Sequence, residues 1–169
     1  MNPHLKSLDR ETLEGMLVDF AKNWLAHDGL WFQAVERECG MATAIKLDTE
    51  AWAEFTRIEA KRIMERHKIP PGGGLEALKK ALGFRLYAFL NEQSITEETQ
   101  NYFVFKMVDC RVQSARKRKN LPLFPCKSVG IVEYTEFARA IDPRIKTECL
   151  GCPPDETDRD FYCGWRFSI

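Results

Sequence analysis

From Asp9 to Ala26 the apolar residues Leu13, Leu17, Phe20 and Trp24 recur every three or four positions, the period of a helix with one buried face. That spacing predicts a first helix, which "HDG" at His27–Gly29 is expected to interrupt, because Gly29 tolerates helix-ending angles and Asp28 suits the next N-cap. A short second helix through Leu30, Trp31, Ala34 and Val35 ends near Gly40. Met41 to His67 reads as a long third helix with Ile45, Trp52, Phe55, Ile63 and Met64 inward. "KIPPGGG" stops it, since two prolines and three glycines cannot continue a helix. A fourth helix follows through Leu75, Leu78, Leu82, Leu86 and Phe89.

Beyond Asn91 the period changes. "QNYFVFKMVDC" is aromatic and β-branched on both alternating faces, as in a central strand. "RVQSARKRKN" is polar and helix-permissive, "LPLFPC" is a loop, and Val129, Val132, Phe137 and Ile141 return to helical spacing. "RIKTECL" and "FYCGWRFSI" form two strands of a hairpin whose enlarged loop is "GCPPDETDRD". The pattern predicts an α+β fold, with N-terminal helices packed on a small antiparallel sheet formed by the C-terminal half. One domain over residues 1–169 is expected, with a helical half at 1–92 and a sheet-containing half at 93–169.

Composition narrows the function classes. At 169 residues, with 44% apolar and 30% charged side chains, the chain can bury one good core. Lys+Arg and Asp+Glu balance at 25 each, so no overall field holds the protein on nucleic acid or an anionic membrane. The N-terminal stretch lacks the apolar core of a signal peptide, and no apolar run is long enough to span a bilayer. A cytoplasmic protein is expected. Its partners are then a small-molecule ligand and, as a further option, a second copy in a homodimer, with neither membrane nor nucleic acid involved.

In a reducing compartment the six cysteines are thiols or metal ligands rather than disulfides. Cys149 and Cys152 form a C-x2-C pair and Cys163 follows on the far strand of the hairpin, while Cys110 ends the strand expected beside it. Two thiolates at this spacing reach one tetrahedral ion across a tight turn. With Cys126 they make a five-cysteine candidate metal site, for which sulfur-rich ligation favours zinc, and an iron–sulfur cluster second. The plainer account treats reduced cysteines as small apolar core residues, and Cys39 is assigned to it.

Other candidates also have two readings. His27 beside Asp28, Trp31 and Phe32 suggests a pocket wall with an imidazole serving as general base. The alternative has Asp28 capping a helix while Trp31 and Phe32 fill the core. Among the bases of "CRVQSARKRKN", Arg111 is expected to face inward and grip a carboxylate, whereas Arg116 to Lys119 read as a solvated face. Glu133 and Glu136 read as surface acids, because Glu is seldom buried unpaired. A dithiol at Cys149 and Cys152 lacks the helix N-terminus that lowers a redox thiol's pKa.

"NWLAHDGLWFQAVE", "DCRVQSARKRKNLPLFPCK", "IDPRIKTECLGCPPD" and "FYCGWRF" together resemble a bacterial and archaeal family of cytosolic proteins catalogued as a domain of unknown function. The order of strand-ending Cys, basic stretch, second Cys, helix and Cys-aromatic strand is similar to the L-2-amino-thiazoline-4-carboxylic acid hydrolase family. The last hairpin also looks like the 4-vinyl-reductase-like ligand-binding domains. The resemblance implies a ligand or metal pocket involving Cys110, Cys126, Cys149 and Cys163, with Cys152 in an extra loop. Two functions are therefore carried forward. One is a small-molecule- or metal-binding sensor or accessory domain with a cysteine cluster. The other is a hydrolase of C–N or C–S bonds, using cysteine-bound zinc, His27 as catalytic base, and Trp31 and Arg111 against the substrate.

Overall fold

The computed structural model describes residues 2–156 and 159–169. After a 3-10 turn at Pro3–Ser7, helix α1 (Arg10–His67) runs for 58 residues, and Asp9 caps it by accepting the Thr12 N–H at 2.7 Å. Its one break is Gly40, at φ 81 and ψ 161, angles that favour glycine. Trp24 meets Trp52 and Phe55 at centroid distances of 5.9 and 5.5 Å, so the arms at 10–39 and 41–67 fold back on one another about Gly40. "HDG" does not interrupt the helix as expected. Gly29 permits a break but does not impose one, and here the helix passes straight through it.

Lys68, at φ 52, ends α1 in the left-handed conformation, and Ile69 N–H closes the turn on the Met64 carbonyl at 3.0 Å. Helix α2 (Gly74–Leu82) follows, shorter than the periodicity suggested, and Leu86–Phe89 form a separate 3-10 turn. The buried Asp142 carboxylate anchors the start of α2 by accepting the Gly74 N–H at 3.0 Å and the Arg144 side chain at 2.6 Å.

Strands β1 (Glu92–Thr96) and β2 (Tyr102–Asp109) pair antiparallel. Helices α3 (Arg111–Arg118) and α4 (Lys127–Ile141) come next, then β3 (Lys146–Gly151) and β4 (Cys163–Ser168). The architecture is α+β, with helices first and a four-stranded antiparallel sheet of order β1-β2-β4-β3 in the C-terminal half. Strand β1 carries no hydrophobic period: "EQSIT" is a polar edge strand and gives no signal of alternation.

Register decides which side chains meet. Phe105 stands opposite Trp165 and Met107 opposite Cys163, while Cys149 also faces Trp165 across the other edge of β4. Cross-strand partners share a face, so these residues point together at α4. There Tyr134 stacks on Trp165 at 4.6 Å, and Phe137, Ala138 and Ile141 are fully buried. Gly130 permits the approach, because a Cβ there would lie 2.8 Å from the Trp165 ring.

A second cluster of Trp52, Phe124 and Val129 joins the α1 arms to α4, with Trp24, Phe32 and Tyr87 against it. The outer part of the first arm differs from expectation: Leu17 and Phe20 are 54% and 62% exposed, because no described residue packs over that stripe. Cys39 is exposed too, not a core residue. Among the described residues, no helix is long and apolar enough to cross a membrane.

Candidate functional site

A cavity of about 410 Å³ lies where the α1 arms, the α3–α4 segment and the inner ends of β2 and β4 meet. Six aromatic side chains line it, Phe32, Trp52, Tyr87, Phe124, Tyr134 and Trp165. The size and predominantly apolar lining are those of a small-molecule site.

Four thiols, Cys110, Cys126, Cys152 and Cys163, also line this cavity. Buried Gln113 positions Cys126: its amide donates to the Phe124 carbonyl at 2.8 Å, accepts the Phe124 N–H at 2.9 Å, and reaches Cys126 Sγ at 3.5 Å. The cysteine loop is tied down independently. Lys127 N–H donates to the Pro153 carbonyl at 3.0 Å, and the Lys127 ammonium holds both Asp155 oxygens at 2.9 Å. Asp155 in turn accepts the Cys152 N–H at 3.2 Å.

These ties bring Cys126 Sγ and Cys152 Sγ to 3.5 Å. Cys152 hydrogen-bonds the Cys126 thiol, and this neighbour, with Cys149 and Cys163 nearby and burial adding to it, holds the Cys152 proton on. The reverse effect lowers its neighbours. The Cys152 hydrogen bond draws Cys126 down, and, with help from the Gly151 amide and the Lys127 charge, it draws Cys149 down to about 7. A helix N-terminus is therefore not needed to lower Cys149. Cys110 is pushed up to about 12 by burial.

Three carboxyl groups line the same cavity, Asp28 and Asp48 from the two α1 arms and Glu133 from α4. Glu133 is buried, contrary to the surface placement expected, because it has a buried partner. Arg85, 2% exposed, donates from Nε to Glu59 Oε2 at 2.8 Å and lies with Nη1 2.7 Å from Glu133 Oε1. The second contact is one of charge, lacking the alignment of a hydrogen bond. Burial opposes the Arg85 charge, yet Glu59 and Glu133 outweigh it and raise its pKa, while Phe137 and Tyr134 face the guanidinium at 4.6 and 5.3 Å.

Burial, with the nearby Asp28 and Glu133 charges adding to it, pushes Asp48 up to about 7. Burial likewise takes Glu133 up to about 7 against the pull of Arg85, and raises Asp28. Groups near half-protonation at neutral pH can hold or pass a proton. Asp48 binds its proton more tightly folded than unfolded, so its contribution to stability is full below about pH 4 and declines as pH rises toward about 7. Asp48→Asn should raise stability at pH 8 by about 1–2 kcal/mol and leave it unchanged at pH 4 in urea denaturation. A variant less stable than the wild type at pH 8 contradicts this.

A family model matches residues 6–169, nearly the entire chain. The chain belongs to that family, a family of unknown function designated DUF6125. No curated protein matches the chain.

Within this member of the family, the residues picked out by sequence fall into two groups. Cys110, Cys126, Cys152 and Cys163 all line the cavity, Cys149 packs partly buried against the same core without lining it, and Arg111 lines the cavity with its side chain exposed. His27 and Trp31 do not join them. His27 is exposed and Trp31 is 69% exposed, because on an unbroken helix they share a stripe, and the adjacent stripe of Asp28 and Phe32 faces the cavity. Asp28 caps no helix.

The inward base of the α3 run is Arg116, not Arg111. Buried at 3% exposure, it holds Glu36 through two bonds of 2.8 and 2.9 Å and donates to the Pro122 carbonyl at 2.6 Å. Sequence reasoning named Asp28 only as part of a pocket wall beside His27, and passed over Asp48, Trp52, Gln113 and Trp165 as site residues. The signal for the two acids was present: Asp28 lies four residues from both Trp24 and Phe32, and Asp48 four from both Ala44 and Trp52. Acids at core spacing mark a functional wall.

Proposed function

We propose that this protein is a cytoplasmic small-molecule-binding domain, a sensor or accessory module, whose ligand lies in the cavity between the aromatic wall and the thiols. The carrying observation is the cavity itself, about 410 Å³ and lined by rings from both α1 arms, α4 and β4. A pocket of this size, apolar within and open to solvent at its rim, gains contact energy when a ligand displaces water from its ring-lined wall. N-phenyl-1-naphthylamine, an uncharged aromatic probe, should bind saturably near one equivalent with a rise in its fluorescence. Emission that grows without saturation counts against the reading.

A second reading adds zinc at the thiols. It is supported by the 3.5 Å Cys126–Cys152 separation and by Cys110 and Cys163 lining the same cavity. Sulfurs sharing one tetrahedral zinc with bonds of about 2.3 Å stand about 3.8 Å apart. Against it, among the described residues no three Cys, His, Asp or Glu side chains are placed to share one ion. Elemental analysis of protein purified without added metal separates the two. About one zinc per chain, lost with a fall in melting temperature in Cys152→Ser, establishes the metal reading. Metal-free protein with unaltered melting in that variant leaves the thiols as cavity wall. The likeness to thiazoline-carboxylate hydrolases adds no chemistry to this, since His27, the base it would use, stands outside the lining.

A further inference from the structure

We infer that the cavity's ligand is an organic cation, an amine whose ammonium group sits among Asp28, Asp48 and Glu133 while its apolar body lies against Trp52 and Trp165. This rests on the small-molecule reading above and adds the ligand's charge class.

The three carboxyls come from three different segments and converge on one void, a costly arrangement for an empty apolar pocket. Only one has a protein cation. Arg85 is shared between Glu59 and Glu133, whereas neither Asp28 nor Asp48 forms an ion pair among the described residues. Glu133 supplies an independent indication. It is 6% exposed and lines the cavity, and its Oε1, though 2.7 Å from Arg85 Nη1, is buried without an aligned hydrogen-bond donor among the described residues. A ligand N–H would supply one. The aromatic walls suit the same guest, because ring faces attract cations.

Basic side chains also border the cavity, but Lys22, Arg111, Arg118 and Lys119 are exposed and hydrated, and buried Arg116 is occupied by Glu36. An anion entering the void would meet like charge inside.

The acids' environment gives the inference a pH signature. Glu133 is faced by Asp28 and Glu59 from α1, by Arg85 and Tyr87 from the turn after α2, by Tyr134 on α4 and by Cys126 just before it, and Asp48 by Asp28, Glu133 and Trp52, with His27 beside Asp28. With both acids near 7, a bound ammonium displaces their protons, so affinity should climb with pH and level off above about 7.

The test compares three probes of one shape on the full chain by calorimetry at pH 8: 2-phenylethylammonium, 2-phenylethanol and 3-phenylpropionate. The ammonium should bind about ten-fold or more tighter than the alcohol, with the propionate weakest. The preference should vanish in Asp48→Asn, and in Glu133→Gln as a second variant, while alcohol binding persists. Equal binding of ammonium and alcohol, tighter binding of the propionate, or a preference surviving in both variants overturns the inference and leaves the cavity reading intact. Failure of all three probes to bind overturns both.

Discussion

Arg85→Met should lower folding stability at pH 8 by about 3–5 kcal/mol, the cost of removing one partner from a buried ion pair. Methionine fills much of the volume and suits the flanking rings of Trp52, Tyr87, Tyr134 and Phe137, so packing is not the main loss. The loss lies in Glu59 and Glu133, which are left buried and without their cation. Glu133 already titrates near 7, so acid should soften the penalty by neutralising it. The deficit should shrink between pH 8 and pH 5.5, and adding Glu59→Gln and Glu133→Gln to the variant should restore much of the stability. Urea denaturation followed by tryptophan fluorescence reads all of this. A deficit below about 1 kcal/mol, or one that ignores pH, is inconsistent with a buried triad.

The second large effect concerns binding. Gly29 lines the cavity in ordinary helical conformation, and a Cβ there would meet nothing nearer than Gln33 Nε2 at 4.0 Å. Gly29→Phe therefore places a ring at the cavity without a backbone clash, and it removes a helix-interior glycine that costs about 0.5–1 kcal/mol. Saturable N-phenyl-1-naphthylamine binding should fall at least about ten-fold while the melting temperature holds or rises. Unchanged binding in a stable variant means the probe sits elsewhere.

Much of the fold was legible because helical and strand periods are local. The "PPGGG" stop, the α4 spacing and the final hairpin each depend on a few neighbouring residues. Failures arose where a tertiary partner decides. Gly29 and Gly40 look alike in sequence, but only Gly40 takes a non-helical conformation, because there the arms reverse to bring Trp24 onto Trp52. Strand β1 has polar residues and gains its structure from β2's edge.

The thiol half of the site was readable from C-x2-C and the hairpin, whereas the acidic half was not. Burial of Glu133 depends on Arg85, far away in sequence, and an acid without its partner reads as surface. Choosing His27 and Trp31 over Asp28 and Phe32 was an error of one residue, about 100° around a helix, caused by assuming a break at Gly29.

The most direct measurement uses the indole N–H resonances of the protein's 4 tryptophans during titration with 2-phenylethylammonium. Trp52 and Trp165 line the cavity, and Trp31, 69% exposed and outside it, serves as an internal control. A ligand in the cavity should shift Trp52 and Trp165 saturably and leave Trp31 in place. Movement of Trp31 with Trp52 and Trp165 unmoved, or no shift at saturating concentration, would contradict the account.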